Sequence, residues 1–335
     1  MRIALIGTGS WGTAMAGLVG SHGHDVVMWS YDADPAIEIN EHHTNSCYLK
    51  DYMLPDCVSA TCSHEETLSG ADAAIFAVPS SFLRGVAHDC SAYIADDLPV
   101  LCLAKGIELG SGMLMSDVIA SEIGHPERIA ALSGPNHAEE ICRGALSAST
   151  IACESVEIGE FFKNLTLSQA FRVYLSSDMV GVELCGAMKN VMAIICGIAA
   201  GSGMGDNALA LIMTRGLAEI SRLVHACGGE AMTCMGLAGM GDLIVTCTSQ
   251  HSRNRTFGEA FAKGETLEEY QGRRRMVVEG AAAAKSVSEL ARSRGVDVPL
   301  TFALERLLYE GASLEEVLET LVNRIPNEEF YGLDE

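Results

Sequence analysis

Basic residues are scarce in this sequence. Its 22 lysines and arginines face 44 aspartates and glutamates, which gives a formal net charge of −22 over 335 residues. Such a surface repels a phosphate backbone and argues against a nucleic-acid partner. It does not exclude a small anion, because a few cationic side chains in a cleft can dominate the local field.

The cysteines lack the spacing of a metal or redox motif. The twelve cysteines between Cys47 and Cys247 include no C-x-x-C pair, and a chain of this length needs no disulfide framework. We interpret them as reduced and mostly buried small hydrophobic residues. His42, His43 and Cys47 form a metal-like cluster without a second ligand pair, so we predict no metal site.

The sequence also lacks the segments typical of secretion or membrane insertion. Residues 1–6 are apolar except for the single charge of Arg2, and the glycines that follow would break the apolar region of a signal peptide. The apolar run at 191–200 has about half the length of a bilayer span. We therefore expect no membrane span and a cytoplasmic protein.

The first half of the chain alternates between two kinds of segment, without internal repeats. Short apolar segments are typical of buried parallel strands, and segments of helical periodicity separate them. We predict strands at 1–7, 24–30, 73–78 and 100–104, weaker strands at 129–132 and 149–152, and helices up to about residue 22 and at 80–93 and 112–123. This alternation predicts an α/β fold with a doubly wound sheet of the Rossmann type.

The second half has mainly helical periodicity after about Asp178. The predicted helices are at 182–200, 208–227, 256–263, 278–294 and 314–321. The length and the 48% hydrophobic content allow two domains, each with its own core. We predict a Rossmann-type dinucleotide-binding domain at 1–180 and an all-helical substrate and catalytic domain at 181–335.

A glycine-rich hexapeptide separates the first predicted strand from the first helix. It reads Gly7-Thr8-Gly9-Ser10-Trp11-Gly12, and its strand-to-helix context is that of a dinucleotide-binding G-x-G-x-x-G motif. Gly7 would allow the tight turn, Gly9 the approach of the pyrophosphate and Gly12 close packing of helix on strand. An ordinary strand-to-helix turn is the alternative.

The end of the second strand bears on the choice of cofactor. An acidic residue there favours NAD through the ribose hydroxyls, and an arginine favours NADP. Here Asp32 comes slightly late, and Tyr31 offers only an aromatic face. These residues leave NAD and NADP open.

Two lysines stand where the local pattern does not favour them. Lys105 directly follows the fourth strand, at the carboxyl end of the sheet where α/β proteins bind ligands. Lys189 interrupts a highly apolar helix. Burial would lower its pKa and let it act as an acid or base near neutral pH, whereas a lysine that extends its ammonium to water is the alternative.

Three further segments suit anions or catalysis. Residues 133–137 follow a strand and open a helix, so their backbone N–H groups can meet an anion. Ser252-Arg253-Asn254-Arg255 opens another helix, and a capped helix start with arginines suits phosphate; a solvated basic face is the alternative. Asp242 ends a glycine-rich turn, either as a site carboxylate or as a solvated turn residue.

Together, these segments resemble the bacterial-type NAD(P)-dependent glycerol-3-phosphate dehydrogenases along nearly the whole chain. The similar segments are GTGSWGTAMA, AVPSSFLR, LAKGIE, LSGPNHAEEI, VGVELCGAMKNVMAI, GMGDNALALIMTRGLAEISRL, GLAGMGDLIVTCTSQHSRNRTFG and VVEG. The resemblance implies an enzyme that interconverts glycerol 3-phosphate and dihydroxyacetone phosphate. In the cell, it implies reduction that supplies phospholipid synthesis.

The resemblance also implies roles for single residues. Lys189 corresponds to the proton acceptor, Lys105 lies near substrate and cofactor, and Asp242 orients a substrate hydroxyl or the lysine. The implied substrate-binding residues are Lys105, Gly134, Asn136, Lys189, Asp242, Ser252, Arg253 and Asn254, and the implied NAD- or NADP-binding residues are Gly7, Gly9, Ser10, Trp11, Gly12, Tyr31, Lys105, Ala138, Arg253, Val277 and Glu279. From the apolar helical half we expect a homodimer.

Three residues depart from the family's usual pattern. Asn136 stands in place of serine or threonine, Tyr31 in place of a frequent basic residue, and Cys185 in place of glycine. Two other interpretations remain: a two-domain dehydrogenase for a β-hydroxyacid or ketopantoate, and a nucleotide-sensing protein without turnover. The phosphate-type segment at 252–254 argues against the first, and the lysine pair with Asp242 argues against the second.

Overall fold

The computed structural model describes residues 1–274, 277–325, 328–329 and 331–333. The chain divides into two compact units. The N-terminal unit contains residues 1–104 and 115–179, and the C-terminal unit contains residues 105–114 and the chain from Val180 onward. The domain limit at residue 180 stays a prediction. Lys105 belongs by its packing to the C-terminal unit.

The N-terminal unit consists of ten strands and seven helices among its described residues. The strands are β1 (Arg2–Ile6), β2 (Asp25–Trp29), β3 (Thr44–Asn45), β4 (Leu49–Met53), β5 (Val58–Thr61), β6 (Ala73–Phe76), β7 (Val100–Cys102), β8 (Ile129–Ser133), β9 (Ser147–Ala152) and β10 (Phe171–Ser176). The helices are α1 (Ser10–Ser21), α2 (Ala33–His42), α3 (His64–Leu68), α4 (Leu83–Ser91), α5 (Met115–Ile123), α6 (Ala138–Ile141) and α7 (Val156–Thr166).

Eight of these strands form one sheet in the order β10-β9-β8-β7-β6-β1-β2-β5. All neighbouring strands are parallel except β8 and β9. Helices connect the parallel strands, as a doubly wound sheet requires. The predicted Rossmann-type fold is confirmed.

The two edge strands of the sheet, β5 and β10, were not predicted from the sequence. In β10, Phe171 and Val173 are buried while Arg172 and Tyr174 are exposed. The central strand β6 is buried at every position. A continuous apolar run reveals a strand that is covered on both faces, whereas an edge strand alternates and is harder to recognise.

Among the described residues, the regular secondary structure of the C-terminal unit is helical, apart from an isolated bridge between Ile107 and Leu114. Its helices are α8 (Met179–Gly201), α9 (Asp206–Ala226), α10 (Asp242–Thr248), α11 (Arg253–Phe261), α12 (Leu267–Arg274), α13 (Glu279–Arg294), α14 (Pro299–Tyr309) and α15 (Leu314–Val322). The predicted all-helical half is confirmed; α10, α12 and α14 were not predicted.

Helix α8 is the core of this unit. A Cβ atom at Gly197 would lie 2.1 Å from the Arg255 carbonyl oxygen, and one at Gly258 would lie 2.1 Å from the Ile194 carbonyl oxygen. These glycines let the backbones of α8 and α11 touch. The close crossing brings Asn254, near the start of α11, within hydrogen-bond distance of α8.

Among the described residues, α8 has the length and composition of a membrane-spanning helix, with 23 residues and a mean hydropathy of 1.6. Helix α8 is therefore longer than the apolar run at 191–200 that was considered in the sequence. However, 83% of its most apolar window is buried inside the protein. The core helix of a globular domain passes the same test, so its length is weak evidence for a span.

Candidate active site

The glycine-rich turn between β1 and α1 has the shape of a dinucleotide-binding loop. Gly7 has φ +119°, and a Cβ there would lie 2.8 Å from the Ala77 carbonyl oxygen. A Cβ at Gly12 would lie 2.2 Å from the Gly7 carbonyl oxygen. Both positions therefore require glycine, for the turn and for close packing of α1.

The same loop leaves room for a ligand. A Cβ at Gly9 would meet no atom of the described residues within 4 Å. In the part of the chain that the structure describes, no side chain caps the start of α1, and the buried Trp11 Nε1 has no hydrogen-bond partner. A helix start with uncapped N–H groups and open space in front of it fits a pyrophosphate. The residues present therefore fit a dinucleotide.

A short hairpin of β3 and β4, which was not predicted from the sequence, holds this loop. Asn45 in β3 is buried, and its amide donates to the Thr8 carbonyl oxygen and to Thr13 Oγ1, both at 2.8 Å. Ser10 donates to the Tyr48 carbonyl oxygen at 3.1 Å. Asn45 lies next to the cluster that was considered for a metal, and no sequence pattern singled it out.

Tyr31 lies just beyond the end of β2 and is 84% exposed. Its ring meets the Trp29 ring edge-on, with centroids 6.4 Å apart. Asp32 precedes α2 but does not cap it through its side chain. An exposed tyrosine offers stacking surface to an adenosine and no charge for a phosphate, so the choice between NAD and NADP stays open.

The segment after β8 contains the remaining predicted residues of the N-terminal unit. Gly134 has φ +155°, and a Cβ there would lie 2.7 Å from Ser149 Cα. Asn136 donates from Nδ2 to Ser149 Oγ at 3.2 Å. Ala138 is buried at the start of α6. Asn136 is therefore tied to β9 through its amide, a bond that a shorter serine would not reproduce in the same way.

Three charged side chains meet inside the C-terminal unit. Asp242, 1% exposed, lies between Lys105 and Lys189, which are both nearly buried. Lys105 Nζ donates to Asp242 Oδ2 at 2.7 Å, and Lys189 Nζ donates to Asp242 Oδ1. All three residues were predicted as site residues from the sequence, and the structure brings them together. We call this group the lysine–aspartate cluster.

Burial and charge change the acidity of this cluster. Burial lowers the pKa of Lys189 to about 8, with Asp242 acting against the shift and Lys105 adding to it. Burial alone would raise the pKa of Asp242, but the two ammonium groups outweigh it and hold that pKa below its usual value. Asp242 is thus ionised at neutral pH, and Lys189 exchanges its proton near pH 8.

Asp242 is positioned by an unusual backbone segment. Residues Leu237–Gly241 form a π-helical turn, in which the Gly241 N–H donates to the Gly236 carbonyl oxygen at 3.1 Å. Such turns are rare and occur often at functional sites. Thr246, missed by the sequence analysis, donates to the Asp242 carbonyl oxygen at 2.6 Å and lies 3.3 Å from Oδ1.

The segment at 252–255 forms the start of α11, as predicted. Ser252 caps the helix by accepting from the Arg255 N–H at 3.2 Å, and Arg253 is exposed in the first turn. Asn254 is buried; it donates to Asn190 Oδ1 and accepts from the Gly280 N–H, both at 2.9 Å. Since Asn190 adjoins Lys189, this bond links the helix start to the lysine–aspartate cluster.

Val277 and Glu279 precede and begin α13, and both are partly buried. Residues 275 and 276 lie outside the described part of the chain. Among the described residues, no group of three potential metal ligands is found.

Comparisons with known proteins agree with this arrangement. Residues 2–158 match the model of the NAD-dependent glycerol-3-phosphate dehydrogenase N-terminus, and residues 178–319 match that of the C-terminus. A glycerol-3-phosphate dehydrogenase (NAD(P)+) of Exiguobacterium sp. is 42% identical, over 96% of this chain and 95% of its own length. The crystal structure of a glycerol-3-phosphate dehydrogenase from Coxiella burnetii is 36% identical, with a TM-score of 0.92, over 96% of this chain and 99% of that one.

A ketopantoate reductase from Ralstonia eutropha reaches a TM-score of 0.61 at 16% identity, over 96% of this chain and all of that one. At this identity the likeness extends to the fold only, so the ketopantoate alternative is not favoured. The two family models and the identity over nearly the full length are decisive. The chain belongs to the family of NAD-dependent glycerol-3-phosphate dehydrogenases.

Proposed function

We propose that this protein is an NAD(P)-dependent glycerol-3-phosphate dehydrogenase that interconverts glycerol 3-phosphate and dihydroxyacetone phosphate. The observation that carries the proposal is the lysine–aspartate cluster, in which a buried lysine with a pKa of about 8 lies against an ionised carboxylate. A group with this pKa can both accept and donate a proton near neutral pH. An alcohol-to-carbonyl conversion requires such a group.

Each residue of the lysine–aspartate cluster has a role in the proposed reaction. Lys189, when neutral, takes the proton of the C2 hydroxyl in the oxidative direction; its ammonium returns a proton to the C2 oxygen in the reductive direction. Lys105 stabilises the negative charge that develops on this oxygen. Asp242 holds both ammonium groups in place through its two oxygens.

The nicotinamide, when bound, supplies or accepts the hydride at C2. The loop Gly7–Gly12 and the start of α1 would hold the pyrophosphate through backbone N–H groups. The roles of Tyr31, Ala138, Val277 and Glu279 in binding the rest of the cofactor stay proposals that rest on the family resemblance.

The start of α11 binds the substrate phosphate in this proposal. Uncharged Ser252 and Asn254 can donate hydrogen bonds there, Arg253 adds a guanidinium, and the helix dipole favours an anion. Because Asn254 is bonded to Asn190 beside Lys189, phosphate bound here would fix the reactive carbon relative to the proton-transfer group. Gly134 and Asn136 are proposed to complete the substrate site.

Purified protein with dihydroxyacetone phosphate, followed by the absorbance of NADH and of NADPH in parallel, tests the proposal. We expect oxidation of at least one cofactor that depends on dihydroxyacetone phosphate, and the ratio of the two kcat/KM values gives the preference. Protein that binds a cofactor but oxidises it with none of dihydroxyacetone phosphate, ketopantoate or a β-ketoacid would contradict every dehydrogenase interpretation.

We further propose that the enzyme is a cytoplasmic homodimer and that it supplies phospholipid synthesis.

The variant Arg253→Ala is expected to raise the KM for dihydroxyacetone phosphate by roughly 10–100-fold, the worth of a charge-assisted hydrogen bond, with kcat nearly unchanged. Unphosphorylated dihydroxyacetone should be used equally poorly by the variant and the parent, because it has no phosphate to lose. Arg273→Ala is the matched control, since Arg273 is exposed and pairs with Glu265 at 2.9 Å. A KM effect of equal size in the control would refute the phosphate assignment.

The pH dependence should have opposite signs in the two directions. Below pH 8 Lys189 is mostly an ammonium and above it mostly neutral, given its pKa of about 8. We therefore expect kcat/KM for glycerol 3-phosphate oxidation to rise with pH and level off above 8, and that for reduction to fall through the same range. Initial rates measured in both directions check this, and profiles that are flat through pH 8 would contradict the role of Lys189.

A further inference from the structure

We propose that Cys185 and Cys234 form a reversible disulfide that lowers the activity of the lysine–aspartate cluster. Their sulfur atoms lie 3.6 Å apart, and both side chains are fully buried. The residues are 49 positions apart in the chain, one in α8 and the other in the short 3₁₀-helical segment Ala231–Met235. The effect on activity rests on the proposed dehydrogenase function; the disulfide itself does not.

The two thiols are close enough to react with each other. A disulfide requires the sulfur atoms to approach from 3.6 Å to about 2.05 Å. The proposed oxidant is hydrogen peroxide or a peroxide of similar size. One thiolate attacks the peroxide and becomes a sulfenic acid with release of water; the second thiol displaces the hydroxyl as another water, so two S–H bonds are lost and one S–S bond forms.

Both cysteines are directly connected to the cluster through the backbone. Cys185 precedes Lys189 by four residues in α8, so the two side chains lie on the same face of the helix. Cys234 precedes the π-helical turn Leu237–Gly241, and Asp242 follows this turn directly. The bond would therefore join the helix that carries Lys189 to the segment that precedes the turn leading into Asp242.

The segment around Cys234 has little space to absorb a shift. A Cβ at Gly239 would lie 2.1 Å from the Cys234 carbonyl oxygen, so the backbone of the π-helical turn is packed directly on Cys234. If Cys234 moves toward α8, the turn and Asp242 must move with it. The Lys189–Asp242 contact has hydrogen-bond geometry. Closing the gap between the sulfur atoms from 3.6 Å to about 2.05 Å is expected to disturb this contact.

A second thiol pair on the same helix provides a matched control. Cys196 in α8 is also fully buried and interacts with Cys247 in α10. Burial and a thiol–thiol contact disfavour the thiolate in both pairs alike, so this pair tests whether cross-linking is specific. The proposal places the cross-link between Cys185 and Cys234 and none between Cys196 and Cys247.

The experiment uses the full-length reduced protein, treated with increasing hydrogen peroxide and then with catalase. Remaining thiols are alkylated, and the protein is digested with trypsin without reduction. We expect a cross-link between peptides 173–189 and 223–253, about 2 Da lighter than their sum, with fragment ions that place it at Cys234. A cross-link from peptide 190–215, which contains Cys196, would instead point to the second pair and refute the proposal.

Activity is measured on the same samples. We expect dihydroxyacetone phosphate reduction to fall at least several-fold in step with the cross-link and to return after dithiothreitol. Cys185→Ala should keep its activity under peroxide, and Cys196→Ala should lose it reversibly, as the parent protein does. The proposal is wrong if the exposed Cys47 and Cys62 oxidise while the cross-link stays absent, or if cross-linked protein retains full activity.

The mass measurement tests the disulfide independently of the proposed dehydrogenase function. Reduced protein without any dehydrogenase activity would count against the proposed function, while the cross-link would still decide whether the disulfide forms.

Discussion

Lys189→Met should lower kcat by roughly 10²–10⁴-fold, the usual loss when an acid–base group is removed, and should leave cofactor binding nearly intact. Methionine keeps the length of the side chain and the packing of α8, but it cannot exchange a proton. Steady-state kinetics in both directions and cofactor binding followed by nicotinamide fluorescence check the two parts. Because the pH limb near 8 is assigned to Lys189, the residual activity should also lose this limb.

Lys285→Met is the matched control for this variant. Lys285 lies in α13 of the same unit and is exposed, so its loss should change kcat by less than about twofold, as expected for a surface substitution. Full turnover in Lys189→Met would make the proton-transfer assignment wrong. Weak cofactor binding together with loss of helical circular dichroism would instead indicate misfolding of Lys189→Met. The less disruptive variant Lys189→Arg would then separate misfolding from loss of the proton-transfer group.

Asp242→Asn should lower kcat/KM by roughly 10²–10³-fold. The amide has nearly the shape of the carboxylate but no charge, so two nearly buried ammonium groups lose their shared counter-charge. Breaking a buried ion pair costs about 3–5 kcal/mol, part of which appears as lost orientation of Lys189. The variant should also be less stable to heat than the parent protein.

The pH profile distinguishes orientation from a purely structural role of Asp242. The carboxylate acts to raise the pKa of Lys189, against burial and Lys105, which lower it. Its removal should therefore shift the oxidative limb from pH 8 to lower pH. Asp206→Asn, at the exposed start of α9, should leave this limb in place. An unshifted limb in Asp242→Asn would show that the carboxylate does not act on Lys189 electrostatically.

Local patterns were sufficient for much of the fold. The central strands β1 and β6 could be predicted because strands covered on both faces are apolar throughout. The edge strands β5 and β10, and the hairpin that contains Asn45, could not. Their side chains alternate or are polar, and their pairing partners are distant in sequence, so no window of neighbouring residues contains the information.

The candidate site divides in the same way. Lys189 was recognisable because a lysine within an apolar helix is costly, and the glycine loop because its spacing has a known use. Lys105 was placed by the strand before it, yet its bond to Asp242 spans 137 residues. The cysteines were interpreted as buried hydrophobic residues, and the approach of Cys185 to Cys234 was not predictable from their spacing.

The sequence by itself determined the α/β and all-helical halves, the dinucleotide loop and the residues with chemistry to offer, because these depend on periodicity and on the nature of single side chains. Only the tertiary structure decided which of these residues meet. The pKa of Lys189, the two-sided pairing of Asp242 and the contact between Cys185 and Cys234 depend on burial and on distances between segments far apart in the chain. Burial sets the electrostatics and close packing sets the distances, and neither exists before the chain has folded.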